Sequence, residues 1–111
     1  MEQIAWGDFL KVDIRAGTVI RAENFERAQK PAYKLWIDFG ESIGTLRSSA
    51  QITDLYRVDE LVGRQVVAAV NLGEKQIANF ISQCLVLGVP GINGVVLLKP
   101  DSEVRNGDRI A

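Results

Sequence analysis

The sequence predicts a small all-β barrel of five strands, with a short helix between the third strand and the fourth. Two observations favour this fold class. Apolar residues recur at every second position over most of the chain, which is the period of a strand with one face on a core. The period becomes helical once, near the middle of the chain. The length of 111 residues, 47% of them hydrophobic and 24% charged, suits one core, so we expect a single domain over residues 1–111.

The first strand is predicted over residues 13–22, where polar and apolar residues alternate. Gly17 in its middle suggests a bend or a bulge of the kind that closed barrels use. We expect one face of this strand to carry Ile14, Ala16, Thr18 and Ile20.

The second strand, predicted over residues 33–39, alternates more strictly. Every second side chain should therefore face the core, and those between should face away from it. The predicted core residues are Tyr33, Leu35, Ile37 and Phe39, and the residues predicted on the opposite face are Lys34, Trp36 and Asp38.

The middle of the chain predicts a strand, a helix and another strand. A short third strand covers residues 44–50. Asp54 can cap the helix that follows, and Gly63 is a good C-terminal stop for it. Residues 64–72 return to strand character and are rich in valine.

The last part of the chain predicts a hairpin. Two apolar runs, residues 81–89 and 94–98, are separated by a segment that ends in Asn93-Gly94, a tight-turn signal. Five strands with a helix between the third and the fourth form the OB-fold arrangement, here with N- and C-terminal extensions. An SH3-like barrel is the main alternative, and the position of the helix favours the OB-fold.

The composition excludes several classes of site. Without histidine, the chain has no Ser-His or Cys-His dyad and no histidine-based metal site. One cysteine allows neither an intrachain disulfide nor a thiolate zinc cage. The formal net charge of −1 means that contacts with nucleic acid must come from a local patch. No motif indicates catalysis, so we expect no enzymatic activity, no cofactor and no metal.

The N-terminal residues carry acidic side chains and lack a basic segment followed by an apolar run, as a signal peptide would have. No stretch approaches the ~20 apolar residues of a membrane span. We therefore expect a cytoplasmic protein without membrane insertion.

Trp36 is the first candidate for a binding residue. An exposed indole with Lys34 on the same face could stack a base or a peptide side chain while the lysine meets a phosphate or carboxylate. A partner subunit or the N-terminal segment could equally cover this face. The sequence leaves both interpretations open.

A second candidate is a basic segment, residues 11–34, which contains six basic and three acidic residues. Such a segment could contact phosphates, although an ordinary solvated loop of mixed charge is commoner. The basic residues are Lys11, Arg15, Arg21, Arg27, Lys30 and Lys34.

Small and polar residues form a third group of candidates. Residues 48–51, Ser-Ser-Ala-Gln, would let a ligand approach the backbone, or would simply end a strand. Asn71, Lys75, Ser82 and Gln83 lie in or beside a polar loop that suits the rim of a barrel, and a solvated connector explains them nearly as well. Cys84, in an apolar run, is expected to be a buried, inert thiol.

A family resemblance adds to these predictions. Residues 8–17, Asp-Phe-Leu-Lys-Val-Asp-Ile-Arg-Ala-Gly, resemble the opening of the tRNA-binding-domain family of OB-fold modules. Five further blocks, in order along nearly the whole chain, are similar to the CsaA-type branch of that family, which comprises small bacterial chaperones associated with protein export. These blocks are residues 30–35, 48–53, 61–64, 70–72 and 82–88.

The resemblance implies an OB-fold homodimer in which Trp6, Phe9 and residues 95–98 are buried. It implies binding of unfolded or presecretory polypeptides and contact with the export machinery. The wider family uses the same barrel face for tRNA, recognised by shape, which makes tRNA the alternative partner. Matched to this chain, the family's binding surface comprises Lys34, Trp36, Arg47, Ser49, Gln51, Asn71, Lys75, Ser82 and Gln83.

Three positions depart from the family pattern. Tyr33 stands before Lys34 where tRNA-binding members usually carry an acidic residue, and Leu85 stands where they often carry methionine. Both changes favour the CsaA-type branch. Asn79 occupies a position that is commonly glycine, so we expect it to adopt a positive φ.

Overall fold

A computed structural model describes residues 1–111, and strands make up most of its regular secondary structure. Two helices interrupt them, and none of the helices is long and apolar enough to cross a membrane. In chain order the elements are α1 (Trp6–Leu10), β1 (Ile14–Asn24), β2 (Tyr33–Asp38), β3 (Thr45–Ala50), α2 (Val58–Leu61), β4 (Gln65–Ala69), β5 (Lys75–Ile77), β6 (Phe80–Ser82), β7 (Leu85–Val86), β8 (Gly88–Gly91) and β9 (Gly94–Leu97).

Five of these strands form one antiparallel sheet in the order β3-β2-β1-β4-β7, which curls into a nearly closed barrel. Helix α2 lies between β3 and β4, so the predicted OB-fold arrangement is confirmed. Two small hairpins, β5–β6 and β8–β9, are added to the barrel.

The barrel encloses the main hydrophobic core. Strand β2 contributes Leu35 and Ile37 to it, and Phe39 directly after the strand is equally buried, as the alternation predicts. Tyr33 is partly buried against the same core, and its hydroxyl donates a hydrogen bond to the carbonyl of Tyr56. The core residues are Val19, Leu35, Ile37, Phe39, Ala50, Ile52, Leu61, Val66, Ala68, Cys84 and Leu97.

The predicted face of the first strand is wrong, because Gly17 and Val19, and not Ala16 and Thr18, face the core of the barrel. Val19 is buried in the core, and the register with β2 shifts directly after it, at a bulge that leaves Ile20 50% exposed. Gly17 serves close packing: a Cβ there would lie 2.7 Å from side-chain atoms of Ile37 and Phe39.

The C-terminal segment pairs with the edge of β1 at residues 14–16, ahead of the residues that pair with β2. Ala16 is buried there, and its N–H donates to the carbonyl of Asp108 at 2.9 Å. The N–H of Gly107 donates to the carbonyl of Ala16 at 2.8 Å. The C-terminal extension is therefore a strap along this edge of β1.

The helix and the last strands also differ from the sequence predictions. Helix α2 begins after Arg57, whose N–H donates to Glu60 Oε1 at 2.8 Å, so Asp54 does not cap it. The run over residues 81–89 is divided among β6, β7 and β8. The predicted turn of the last hairpin is confirmed, since Gly91 pairs with Gly94, which has a φ of +134°.

Candidate binding groove at the seam of the barrel

The barrel has a seam where β3 and β7, the two ends of the sheet order, approach each other without pairing. Residues 82–84 lie along the edge of β3 in place of a strand ladder. The N–H of Gln83 donates to the carbonyl of Arg47 at 2.7 Å, and the N–H of Arg47 donates to Gln83 Oε1 at 3.0 Å. The N–H of Ser49 donates to Ser82 Oγ at 3.0 Å. Ser82 and Gln83 therefore hold the edge of β3 largely with their side chains.

Beyond Ser49 the seam widens into a groove of about 710 Å³, which we call the apolar groove. Leu72 and Leu85 line it and are 58% and 51% exposed. The lining residues are Ser49, Ala50, Gln51, Ile52, Leu72, Gly73, Glu74, Lys75, Ile77, Ser82, Cys84, Leu85, Val86, Gly88, Pro90 and Val95.

A second groove of about 490 Å³ adjoins the first, and we call it the basic groove. Arg27, Lys30 and Lys75 line it, and none of them has a carboxylate oxygen within 4.0 Å. The loop between β1 and β2 forms one wall, and the β5–β6 hairpin forms the other. The two grooves share Ser49, Gln51, Lys75 and Ile77.

An aromatic cluster on the outer face of β2 fixes the β5–β6 hairpin beside these grooves. Phe80 is 4% exposed and packs edge-on against Phe25 and Trp36, with ring centroids 5.5 and 5.8 Å apart. Lys34 Nζ lies 4.9 Å from the Phe25 ring centre, and the Arg47 guanidinium lies 5.5 Å from that of Phe80. This outer cluster comprises Phe25, Ala32 and Phe80, with Ala28, Trp36 and Ile77 packed against it.

Trp36 is therefore not the exposed platform that its position on β2 suggested. It is partly buried beneath Phe80, and the Arg21 guanidinium lies 4.4 Å from its ring centre. The N-terminal segment and a partner were the covers considered from the sequence. The cover within the chain is instead the β5–β6 hairpin.

The basic segment over residues 11–34 does not form one continuous patch. Three of its cations have carboxylate partners, as Lys11 pairs with Asp8, Arg15 with Asp13 and Arg21 with Glu23. Arg27 and Lys30 line the basic groove, and Lys34 lies over the aromatic cluster.

The structure brings six of the nine candidate residues to the seam or its grooves: Arg47, Ser49, Gln51, Lys75, Ser82 and Gln83. Lys34 and Trp36 belong to the adjacent aromatic cluster. Asn71 is engaged elsewhere, because its Oδ1 accepts from the N–H of Asp13 at 2.8 Å and its Nδ2 donates to the carbonyl of Lys11 at 2.7 Å.

Leu72, Val86, Pro90 and Val95 are among the lining residues that the candidate list omits, and Leu85 was noted only as a departure from the family pattern. Apolar residues give no chemical motif, so only the structure could assign them to the groove.

Cys84 lies between the main core and the apolar groove. It is 7% exposed, and its Sγ donates a weak hydrogen bond to the carbonyl of Arg47 at 3.7 Å. Burial raises the pKa of this thiol to about 12. The expected inert thiol is what the structure describes.

Residues 14–109 match the sequence profile of the family described as "Putative tRNA binding domain". Among curated relatives, a methionine–tRNA ligase from Chlorobium limicola is 38% identical over 109 residues, and the alignment covers 97% of this chain. The corresponding ligase from Pyrococcus horikoshii is 32% identical over 110 residues. The chain spans about 15% of the length of these relatives.

Solved structures of small proteins are similar over their whole length. The CsaA chaperone protein from Picrophilus torridus is 51% identical with a TM-score of 0.93, covering 98% of this chain and 100% of its own. The chaperone CsaA from Bacillus anthracis is 48% identical with a TM-score of 0.92, covering 99% and 100%. A methionyl-tRNA-synthetase-related protein from Pyrococcus horikoshii is 29% identical with a TM-score of 0.87, covering 100% of both chains.

Proposed function

This chain belongs to the tRNA-binding-domain family, and on that premise we propose that it is a non-enzymatic molecular chaperone of the CsaA type. It captures unfolded polypeptides, presecretory ones among them, in the apolar groove. The observation that carries this proposal is an open groove lined by exposed leucines beside polar groups that can fix a backbone. Identity of 48–51% with two structures described as CsaA chaperones supports it.

The groove has the physical properties that a sequence-tolerant polypeptide site needs. Exposed Leu72 and Leu85 gain free energy when a client's apolar side chains cover them, at roughly 25 cal/mol per Å² removed from water. Ser49 and Gln51 offer hydrogen bonds without charge, so they contact a backbone whatever its side chains are. Such a site favours unfolded chains, which expose runs of apolar side chains and an unpaired backbone, over folded ones, which bury most of both.

The proposed role includes a homodimer, a cytoplasmic location and transfer of the client to the export machinery. Exposed apolar residues on α1 and on the β8–β9 hairpin support the dimer. Trp6 is 88% exposed, and Phe9, Val96 and Leu98 are each at least 40% exposed. Light scattering on the eluted peak should give twice the chain mass, and Trp6→Ser should shift it toward the monomer.

Titration with a fluorescently labelled, permanently unfolded polypeptide tests the polypeptide site. Leu85→Ser should weaken binding by about tenfold, because it removes a large part of the apolar lining. Val62→Ser is the matched control, since Val62 is similarly exposed but lies outside both grooves. Equal affinity of the wild type and the Leu85 variant would contradict the proposed site.

tRNA binding is the second candidate function, and the basic groove favours it. Arg27, Lys30 and Lys75 have no carboxylate partners there and lie in the two loops that flank the binding face of an OB-fold. This function predicts an affinity for bulk tRNA that falls steeply with salt and that decreases in Lys30→Gln but not in Lys99→Gln. Submicromolar binding that persists at physiological salt would make tRNA the principal ligand.

A further inference from the structure

We infer that the polypeptide in the apolar groove binds in extended form, as a strand added at the C-terminal end of β3 beyond the part of its edge that residues 82–84 occupy, with carboxylates at the end that reaches Lys75. This inference rests on the proposed chaperone function and specifies the conformation and charge of the segment that is captured.

The backbone of Ser49 supplies the hydrogen-bonding position. Its N–H points away from β2, because it donates to Ser82 Oγ. In an antiparallel ladder the N–H and C=O of one residue point to the same side, so the Ser49 carbonyl also points away from β2, toward the groove that this residue lines. Its only partner is the Ser48 hydroxyl at 3.5 Å, which is at the limit of a hydrogen bond. A strong acceptor is therefore free for a client.

An extended client satisfies this acceptor, and a helical one does not. The backbone amides in the interior of a helix are hydrogen-bonded within the helix. In an extended segment every second amide points to the same side, where it can donate to a neighbouring strand. Successive side chains of a strand point to opposite faces. Those facing the barrel would meet Ile52, Leu85 and Val86, and the others would face solvent.

The charges around the groove determine the orientation of the bound client segment. Lys75 stands on the shared rim, and Arg27 and Lys30 continue the positive charge into the basic groove. Glu74 is the one acidic residue that lines either groove, and its carboxylate accepts from Gln83 Nε2 at 3.3 Å. The rim therefore has an excess of positive charge, which complements carboxylate side chains on the client.

The test uses a fluorescently labelled ten-residue peptide in which apolar residues alternate with serine and two glutamates occupy one end. A second peptide has the same side chains with its central amides N-methylated, and a third has two lysines in place of the glutamates. Binding is measured by anisotropy to the wild type, to Lys75→Gln and to the control Lys99→Gln. The unfolded polypeptide used above is titrated in parallel.

We expect N-methylation to weaken binding by about tenfold, as for the loss of one or two backbone hydrogen bonds. The glutamate peptide should bind more tightly than the lysine peptide, and Lys75→Gln should reduce that preference while Lys99→Gln leaves it unchanged. Equal binding of the methylated peptide would overturn strand addition, and equal binding of both charged peptides would overturn the charge preference. If the unfolded polypeptide still binds in either case, the proposed chaperone function stands. If it does not bind, the chaperone function itself is contradicted.

Discussion

Strand β2 contributes to two apolar clusters that differ in what surrounds them. On its inner face Leu35 and Ile37 lie in the barrel core, fully buried among apolar neighbours from five strands and a helix. On its outer face Trp36 joins Phe25 and Phe80 in a small aromatic cluster bordered by arginines and a lysine. The inner cluster holds the barrel together. The outer cluster holds a hairpin and a loop in place beside the grooves, so folding and positioning of the site are separable.

The largest effect is expected from Phe39→Ala in the inner cluster. Phe39 is 1% exposed, and truncating a core phenylalanine costs about 4 kcal/mol, since it loses both burial and packing. Urea unfolding followed by circular dichroism should show a lower midpoint with the transition still cooperative. A loss below about 1 kcal/mol would mean that the barrel core is not the main source of stability.

Phe80→Ala is the matched substitution in the outer cluster. The loss in free energy of unfolding should be smaller, about 2 kcal/mol, because the hairpin at the surface can shift to fill much of the cavity. Binding of the unfolded polypeptide should nevertheless fall more in this variant than in Phe39→Ala at a temperature where both are folded. Equal binding losses in the two variants would contradict the separation of the clusters.

The C-terminal strap pairs with the start of β1 and provides an internal comparison for acid stability. The pKa of Asp13 is lowered from 3.8, first by its hydrogen bonds from Arg15 at 2.6 and 3.2 Å and then by the charges of Arg15 and Arg109, despite an opposing effect of burial. Because the folded value is below the unfolded one, Asp13 stabilises the fold above about pH 4. This contribution disappears as the pH falls through the lowered pKa.

Asp13→Asn should therefore be less stable than the wild type at neutral pH, by less than Phe80→Ala. The difference between the two proteins should narrow as the pH is lowered below 3.8. Melting temperatures measured from pH 7 to pH 2.5 would show this convergence. Parallel curves over the whole range would exclude the proposed ionic contribution of Asp13.

The smallest effect is expected within the hairpin itself, from Ala78→Gly. Ala78 has a φ of +49°, a conformation that costs alanine about 1 kcal/mol and glycine almost nothing. After the entropy that glycine adds to the unfolded chain is subtracted, a gain of about 0.5 kcal/mol remains. The positive φ belongs to Ala78 and not to Asn79, so the prediction for Asn79 is wrong. Asn79→Gly therefore serves as the control and should give no gain in stability. A gain in the control alone would reverse this assignment.

The two faces of β2 also show how far the sequence could predict this structure. Alternation identified Leu35, Ile37 and Phe39 as core residues, because a period of two leaves them one common face. The same alternation placed Trp36 on the opposite face but could not show what covers that face. The cover is Phe80, which is distant in sequence and stands just before the predicted apolar run over residues 81–89, so no pattern in the sequence pairs it with Trp36.

The candidate site was predictable only in its polar part. Ser49, Gln51, Ser82 and Gln83 were found because small and amide side chains in loops suggest binding. Their mutual arrangement could not be predicted, since it depends on residues 82–84 lying along β3 in place of a strand. A bend or bulge in β1 was predicted at Gly17, whereas the bulge lies after Val19; a one-residue change of register leaves the composition of a strand unchanged, so composition could not give its position.

The rate at which Cys84 reacts with a thiol reagent can report on the apolar groove. Its thiol keeps its proton at any pH used for a binding measurement, because burial raises its pKa to about 12, and it is shielded from solvent at the base of the groove. A thiol reagent therefore reaches Cys84 only when the seam opens locally, so the rate of modification measures how often that opening occurs. A polypeptide bound in the groove would slow the modification of Cys84. The occupancy of the groove can therefore be followed through a native residue, without an engineered probe.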